Sequence, residues 1–271
     1  MRSKSTLSVV TITLNEAARL ERCHRSIAWA DEWVVVDSGS SDDTVQLARR
    51  RGASVQERPF DNFSSQWNYA IEQARSDWVL VLAADETVSE ELRMEIEMVL
   101  RHRDGGPSCY AMPRRNLHFG RWLRHGGQWP DWSLRLFRAG TARWAGDIHE
   151  QLAYDGILGR LRGPIVHRSF LTLSEWVQKM DRQTGQEACF AVQRGERGSW
   201  SDLTLRPVAW FLRMYIAQRG FLDGWAGFVH SVCTGVCIFF RYAKLQELQR
   251  SGGPAGSHNE RTPERIVAGS R

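Results

Sequence analysis

The sequence contains very little lysine. Lys4, Lys179 and Lys244 are the only lysines among 36 basic residues, and the other 33 basic residues are arginines. With 31 acidic residues, the formal net charge is +5. Arginine binds phosphate in a bidentate manner, so this balance favours an anionic substrate or a phospholipid surface. Codon bias in a GC-rich genome is an equally good explanation.

Other absences exclude whole classes of protein. No G-x-G-x-x-G follows the first apolar run and no G-x-x-x-x-G-K-[ST] occurs, so neither a Rossmann nor a P-loop phosphate cradle is supported. The five cysteines form no C-x-x-C pair, which favours a reduced, cytosolic protein over a zinc or disulfide framework. The short, polar beginning of the sequence predicts no signal peptide. With 42% hydrophobic and 25% charged residues, the chain is not collagen-like, mucin-like or wholly disordered.

The first half of the chain alternates short apolar runs with amphipathic segments. Strands are predicted over residues 7–14, 33–37, 53–57, 78–82 and 109–112. Helices are predicted over residues 20–27, 44–51, 64–75 and 90–103. This alternation predicts an α/β fold with a parallel, doubly wound sheet, in which ligands bind at the carboxyl ends of the strands.

Polar and acidic side chains follow three of these predicted strands. Asn15 and Glu16 follow the first strand, Asp37 ends the second, and Asp85 and Glu86 follow the fourth. A single carboxylate at a strand end often only caps a helix, but several at neighbouring ends indicate a shared polar crevice. Without a glycine-rich cradle, a diphosphate in that crevice needs a metal ion or arginines to neutralise it. Asp85 is the candidate metal ligand.

Residues 114–132 differ in composition from the first half. They are rich in arginine, glycine and tryptophan and show little periodicity. Tryptophan stacks on sugar faces and arginine binds phosphate, so we interpret this segment as a binding loop. A nucleic-acid groove and a merely packed loop are the alternatives. Because the basic residues are spread along the chain without a nucleic-acid motif, we expect no nucleic-acid partner.

Seven short motifs occur in an order and spacing that resemble glycosyltransferase family 2, over roughly residues 7–250. They cover residues 10–16, 36–42, 63–68, 78–86, 125–132, 134–137 and 148–150. Within that family the chain is similar to the WaaE/KdtX-type lipopolysaccharide-core branch. The resemblance implies a GT-A fold, in which a Rossmann-like nucleotide-binding sheet is followed here by a C-terminal helical extension that associates with a membrane.

The resemblance also implies roles for particular residues. A UDP-sugar donor would be bound by Thr13, Asn15, Glu16, Asp37, Ser38, Asn68, Ala83 and Ala84. Mg²⁺ or Mn²⁺ would be held by Asp85, at the last acid of the family's D-x-D motif, with His149 completing the coordination; an isolated histidine is otherwise a surface residue. The ion would act as a Lewis acid on the departing UDP.

Inversion at the anomeric carbon needs a base for the acceptor hydroxyl. The resemblance places that base at Asp131, with Glu150 as the second choice, although Asp131 equally suits a turn after Pro130. The acceptor would contact Arg114, Arg124, Trp129 and Trp132. Two carboxylates flanking a sugar also fit a hydrolase, but the nucleotide-type sheet favours transfer.

The chain departs from the family pattern after the fourth strand. It has Ala83-Ala84-Asp85-Glu86 where the family usually has Asp-Ala-Asp-Glu. Losing a charge-assisted hydrogen bond costs about 1.5–3 kcal/mol, so donor binding should be weaker. Trp67 also stands where relatives tend to carry a basic residue.

Two apolar segments, residues 207–217 and 225–240, lie in the last quarter of the chain. Both are shorter than the about 20 residues of a spanning helix. Arg213, Arg219, Arg241 and Lys244 flank them, which predicts a helical hairpin that lies on an anionic membrane surface through residues 206–244. Helices packed under the catalytic domain are the alternative.

We therefore expect a GT-A domain over residues 1–205, with a donor half of about 1–112 and an acceptor half of about 113–205. An apolar extension over 206–250 and a disordered tail over 251–271 follow. The hypothesis is an inverting enzyme that moves a hexose, glucose in the first instance, from UDP to a lipopolysaccharide inner-core acceptor. It would be cytoplasmic and peripheral on the inner face of the bacterial inner membrane. The alternatives are a polyprenyl-phosphate or capsule precursor as acceptor, and a degenerate sugar-nucleotide-binding protein inactivated at Ala83.

Overall fold

The computed structural model describes residues 4–102, 106–146, 151–170 and 172–251. Its strands are β1 (Leu7–Thr13), β2 (Glu32–Asp37), β3 (Ser54–Glu57), β4 (Trp78–Val81), β5 (Glu86–Val88), β6 (Cys109–His118), β7 (Arg121–Trp122), β8 (Asp131–Arg138), β9 (Ala142–Ala145), β10 (Gln151–Tyr154), β11 (Leu158–Arg160) and β12 (Ile165–Phe170). Its α-helices are α1 (Ala17–Ile27), α2 (Thr44–Arg50), α3 (Phe63–Glu72), α4 (Glu90–Arg101), α5 (Leu173–Gln193), α6 (Trp200–Leu212) and α7 (Gly224–Arg250).

The main sheet combines a parallel half with a mixed half. Its strand order is β3-β2-β1-β4-β8-β6-β12-β5, with β7 and β11 both paired to β6. Strands β1 to β4 are parallel to one another, as the alternating pattern predicts. The five strands predicted in the first half all run in the same direction, but the sheet is not parallel throughout, because β8 lies between β4 and β6 and runs antiparallel to both. Strands β6 and β12 are again parallel.

The segment expected to be an irregular loop is partly strand. Strand β6 continues to His118 and β8 begins at Asp131, so that Arg114 pairs with Asp131 across the two strands. Hydrophobic periodicity does not reveal this part of β6, because its inward side chains are polar: Asn116 and His118 are buried. Only the residues between these two strands form the loop.

Apolar side chains cover both faces of the parallel half of the sheet. Successive strand residues point to opposite faces, so Val9 packs with Leu20 of α1 and Ile96 of α4, whereas Val10 packs on the other side. Trp67 of α3 belongs to that second layer, is 7% exposed, and stacks against Trp144 of β9 at 6.3 Å between ring centroids. The unusual Trp67 is therefore a core residue that joins α3 to β9.

Helices α5, α6 and α7 form a layer after the sheet. Both predicted apolar segments are helical, and the chain reverses between them through a π-helical turn (Arg213–Ala217) and a 3₁₀ turn (Gly220–Asp223). Two ion pairs fasten α7 along its neighbours: Lys244 to Asp181 at 2.8 Å and Arg241 to Glu196 at 3.3 Å. By length and composition alone, Gly220–Arg250 could cross a membrane, and only 28% of its most apolar window is buried inside the protein.

Candidate active site

The carboxyl ends of β1 and β2 are joined through Asp37. The buried Asp37 carboxylate accepts hydrogen bonds from Thr13 Oγ1 at 2.8 Å and from the backbone N–H groups of Gly39 and Ser40 at 2.9 and 2.7 Å. Thr13 and Asp37, two of the predicted site residues, are therefore in direct contact. The bonds to Gly39 and Ser40 fix the start of the loop after β2.

Asn15 ties the loop after β1 to the loop after β2. Its backbone adopts a left-handed conformation (φ +56°), which asparagine tolerates better than most residues. Its N–H donates to Ser40 Oγ and its Oδ1 accepts from Ser41 N–H, both at 2.8 Å. In the neighbouring helix α3, the amide of Gln66 donates to Ser38 Oγ at 3.0 Å. The predicted donor-site residues at the ends of β1 and β2 therefore lie at one sheet edge: Thr13, Asn15, Asp37 and Ser38.

Asn68 of α3 makes a pair of bonds away from these loops. Its Nδ2 donates to the carbonyl of Trp144, and its Oδ1 accepts from the N–H of Trp144, both at 2.9 Å. These bonds hold β9 against α3. A contact between Asn68 and a nucleotide stays a prediction.

The turn after β4 is held by the buried carboxylate of Glu86. Its Oε2 accepts from Ala83 N–H at 2.9 Å, and its Oε1 lies 3.2 Å from Arg135 Nη2 and 3.6 Å from Arg114 Nη1. Glu86 is 1% exposed, and both of its carboxylate oxygens are in contact with other groups of the protein. The result is a rigid turn in which Ala83 and Ala84 lead to Asp85.

The carboxylate of Asp85 faces the imidazole of His167 on β12. Asp85 Oδ2 and His167 Nε2 lie 3.3 Å apart. Burial by itself raises the pKa of Asp85, but the hydrogen bond and charge of His167, together with the charges of Lys179 and Arg19, lower that pKa to about 2. Asp85 is therefore ionised at neutral pH.

The hydrogen-bond network defines which nitrogen of His167 carries a proton. Asn116 Nδ2 donates to Asp131 Oδ2 at 3.0 Å, so Asn116 Oδ1 is the acceptor 2.7 Å from His167 Nδ1. With this proton on Nδ1, Nε2 is the nitrogen that faces Asp85, and Ser169 Oγ lies 3.1 Å from it. Nε2 donates to Asp85 when it carries the second ring proton, and without that proton its lone pair can bind a cation held by the same carboxylate.

The same network reaches the predicted base. Arg114 Nε lies 3.1 Å from Asp131 Oδ2, the oxygen that also accepts from Asn116. The Asp131 side chain keeps 37% of its surface exposed, so it can meet a substrate. His167 and Asn116 therefore connect Asp85 to Asp131 through direct contacts.

Cationic side chains surround Asp85. Arg19 pairs with Glu16 at 3.0 Å and lies 3.6 Å from Glu175, and burial raises the pKa of Glu16 despite its arginine partner. The buried Nε atoms of Arg22 and Arg168 have no hydrogen-bond acceptor within the described part of the chain. Burial and the charge of Arg168 lower the pKa of Arg22. This group of cations is suited to an anionic ligand.

The predicted acceptor residues lie in three separate places. Arg114 lies at Asp131, as described above. Trp129 packs edge-on against Trp122 at 5.2 Å, and Arg124 stacks on the same Trp122 ring at 4.2 Å. Trp132 follows Asp131 on β8 and therefore points to the opposite face of the sheet, where Arg160 lies 5.0 Å from its ring.

Two predicted site residues, His149 and Glu150, lie outside the described residues. Among the residues that are described, no three histidine, cysteine, aspartate or glutamate side chains are grouped as a metal cluster. The sequence reasoning missed His167, Asn116, Arg19 and Lys179, which approach the crevice from elements that the motifs do not cover. Alternating polar residues in an apolar run, His167 and Ser169 in β12, are the signal that indicates an inward polar face.

The sheet thus combines a parallel half, with polar residues at its strand ends, and an antiparallel β8. The family model described as "Glycosyl transferase family 2" matches residues 8–155. The chain therefore belongs to glycosyltransferase family 2, which confirms the resemblance seen in the motifs.

Relatives extend the match over nearly the whole chain. An uncharacterized glycosyltransferase of Rickettsia typhi is 30% identical over 254 residues, covering 89% of this chain and 87% of the relative. The lipopolysaccharide core biosynthesis glycosyltransferase LpsC of Rhizobium meliloti is 28% identical and covers 90% of this chain and 93% of its own length. The solved structure of the mannosyltransferase PcManGT of Pyrobaculum calidifontis, in complex with GDP-Man and Mn²⁺, matches with a TM-score of 0.52 at 15% identity, covering 90% of this chain and 88% of its own. The predicted GT-A fold is confirmed.

Proposed function

We propose that this glycosyltransferase moves a hexose, glucose in the first instance, from a UDP-sugar to a lipopolysaccharide inner-core acceptor with inversion at the anomeric carbon. The observation that carries the proposal is the continuous network from Asp85 through His167 and Asn116 to Asp131. This network supports a cation site at Asp85 and His167 close to Asp131, the proposed base. The similarity to LpsC supports the choice of acceptor.

Asp85 and His167 are the residues that would hold Mg²⁺ or Mn²⁺. An ionised carboxylate oxygen and an imidazole nitrogen facing each other form a donor set that suits Mn²⁺ in particular. The Nδ1 proton is directed to Asn116, which leaves Nε2 as the ligand atom. When bound, the ion supplies Lewis-acid stabilisation of the diphosphate charge. His149 stays a prediction as a further ligand.

The cationic side chains around Asp85 offset the negative charge of the donor. Arg19 and Lys179 act electrostatically on Asp85, and Arg22 and Arg168 are partly buried arginines whose Nε atoms are buried without an acceptor in the described part of the chain. Positive charge fixed in position before the reaction stabilises charge that develops on the leaving group. The crevice formed by Thr13, Asn15, Glu16, Asp37 and Ser38 would hold the uridine.

Asp131 acts as the general base in this proposal. The acceptor oxygen attacks the anomeric carbon from the face opposite UDP, its proton passes to the Asp131 carboxylate, and the bond to UDP breaks. Arg114 and Asn116 orient the carboxylate through the contacts at 3.1 and 3.0 Å. Glu150 is the second candidate, and Trp129 and Arg124 would line the acceptor side.

The helical extension would bring the enzyme to its acceptor on a membrane surface. Large apolar side chains remain exposed on this unit, with Trp200, Leu205 and Trp225 at 74%, 69% and 65% exposure. Because Lys244 and Arg241 of α7 pair with Asp181 and Glu196, the helix is held along the protein, which favours lying on the surface over crossing it. The proposed location is the cytoplasmic face of the inner membrane. The domain boundaries at residues 205 and 250 stay predictions.

One pair of measurements tests the enzymatic part. Titration calorimetry with UDP and Mn²⁺, alongside UDP release from UDP-glucose, is expected to show binding together with turnover. Binding without turnover would favour the degenerate protein that Ala83 suggests. A protein that neither binds nor turns over any nucleotide sugar would refute the proposal.

The acceptor is tested in a deletion strain. Mass spectrometry of its core oligosaccharide is expected to show the loss of one hexose, which identifies sugar and site together. An unchanged core together with an altered capsule or polyprenyl-linked glycan would mean that the enzyme uses one of the alternative acceptors.

A further inference from the structure

A buried carboxylate joins the helical extension to the loop between β6 and β8. Asp223 Oδ2 accepts from the backbone N–H of His125 at 2.8 Å, and Asp223 Oδ1 lies 2.9 Å from His125 Nδ1, which must donate because a carboxylate only accepts. The Asp223 side chain is 8% exposed. One residue at the start of α7 thus holds both the backbone and the ring of a loop residue.

Two glycines extend this contact along the loop. Gly126 N–H donates to the carbonyl of Gln218 at 2.9 Å. Gly127 has φ +75°, and a Cβ at this position would lie 2.8 Å from the side-chain oxygen of Gln218. The loop therefore lies directly on the turn at residues 218–223, and a side chain at Gly127 would be strained by its positive φ and would displace the amide of Gln218.

The turn that anchors the loop also carries exposed apolar side chains. Phe221 and Leu222 lie within it and are 46% and 55% exposed, and Trp225 follows at 65%. Ile216 precedes it at 55%. The anchor point is therefore part of the surface that we propose to face the membrane.

The anchored loop leads directly to the proposed base. Trp129 packs on Trp122 within the loop, and Asp131 begins β8 immediately after Pro130. A second contact comes from α7, where the His230 ring lies 4.6 Å from that of His118, two residues beyond Asn116 on β6. The extension thus contacts β6 and the loop that leads to β8.

We propose that Asp223 is a positioning residue that fixes the acceptor loop, residues 119–130, to the membrane-facing turn. The acceptor side of the site is thereby held at a set distance from the surface that presents a lipid-linked acceptor. Docking of the turn on an anionic phospholipid surface then reduces the motion of the loop through the Asp223–His125 contact. This inference rests on the proposed function for its membrane and acceptor.

Hydrogen exchange of the acceptor loop, measured by mass spectrometry with and without phosphatidylglycerol–phosphatidylethanolamine vesicles, tests the proposal. In the wild type, vesicles should slow exchange in residues 119–130. In Asp223→Ala the loop should exchange about tenfold faster in solution, because local opening loses its strongest restraint, and vesicles should no longer slow it. Affinity for UDP and co-sedimentation with vesicles should be unchanged.

Asp181→Ala is the matched control. Asp181 also joins two elements of the helical unit, through its ion pair with Lys244 of α7, so its loss should leave loop exchange at the wild-type rate. His125→Ala, which keeps the backbone bond and loses the ring bond, should lie between wild type and Asp223→Ala. His125→Ala also tests the positioning role if Asp223→Ala fails to fold.

The outcomes separate the coupling from the proposed function. Wild-type exchange rates in the loop of Asp223→Ala, or of His125→Ala if the first variant does not fold, would overturn the positioning role. If the wild type does not bind vesicles, the membrane proposal fails. The exchange rates of wild type and Asp223→Ala in solution still test whether Asp223 anchors the loop. If the wild type binds vesicles but its loop is not slowed, the coupling is wrong and the membrane proposal stands.

Discussion

Asp85 Oδ2 and His167 Nε2 lie 3.3 Å apart, although one residue follows β4 and the other belongs to β12. The pairing arises because β12 is hydrogen-bonded to both β6 and β5, which brings the end of the mixed half of the sheet back beside the turn after β4. The backbone confirms the proximity, since Arg168 N–H donates to the carbonyl of Asp85 at 3.1 Å. The side-chain contact joins a carboxylate and an imidazole, the pair that we propose to hold the cation.

Replacing His167 by alanine should weaken Mn²⁺ binding by about tenfold or more, because one of the two proposed ligands is lost. Mn²⁺ affinity is measured by calorimetry in the presence of UDP, and by electron paramagnetic resonance of free Mn²⁺. His102→Ala is the control, since His102 is exposed at the end of α4 and bonds only its own helix in the described structure. Equal Mn²⁺ affinity in the two variants would remove His167 from the site.

Replacing Asp131 by asparagine keeps the side-chain shape and removes the proposed base. The rate of transfer should fall by about 10²–10⁴-fold, whereas UDP and Mn²⁺ binding should change little. Steady-state kinetics with saturating donor gives the rate, and calorimetry gives the binding. Asp155→Asn, at an exposed position after β10, should behave as the wild type. A normal rate in Asp131→Asn would transfer the role to another carboxylate, with Glu150 next to be tested.

The donor half of the site is predictable from sequence because its determinants are local. Asp37 and Asp85 each follow a recognisable apolar strand, and parallel strands place their carboxyl ends at one edge. His167 and Asn116 could not be placed in this way, since their position depends on the pairing of β6 with β12, which no local pattern specifies. Trp67 shows the converse: sequence identified it as unusual, but only its stacking on Trp144 explains it.

Introducing the acid that is missing after β4 should strengthen donor binding and raise transfer. Ala83→Asp restores a carboxylate beside Asp85, and the hydrogen bond it can make is worth about 1.5–3 kcal/mol, or at least about tenfold in UDP-sugar affinity. Calorimetry with UDP-glucose and a turnover assay measure the two effects. Ala83→Ser tests size and polarity without charge and should change affinity less. An unchanged or lower rate in Ala83→Asp would mean that this site works without the first acid.

The stability of the protein should decrease with acidification because two histidines are buried in neutral form. Burial, together with nearby His230, His167 and Lys179, lowers the pKa of His118 to about 2, against a weaker opposing hydrogen bond from Gln128. Burial lowers the pKa of His230 to about 4, although the charge of Asp223 opposes this.

The sign follows from proton binding in the two states. Between about pH 6.5, the ordinary value for an unfolded histidine, and the folded values, the unfolded chain binds protons that the folded chain does not. The free energy of unfolding is therefore unaffected by these groups above pH 6.5 and falls by up to about 1.4 kcal/mol per pH unit for each histidine below it. Urea unfolding at pH 7.5, 6 and 5 measures the slope. His118→Asn should reduce the pH dependence of the free energy of unfolding, whereas His102→Ala should leave it as in the wild type. The same slope in all three proteins would show that His118 binds its proton as readily in the folded chain as in the unfolded chain.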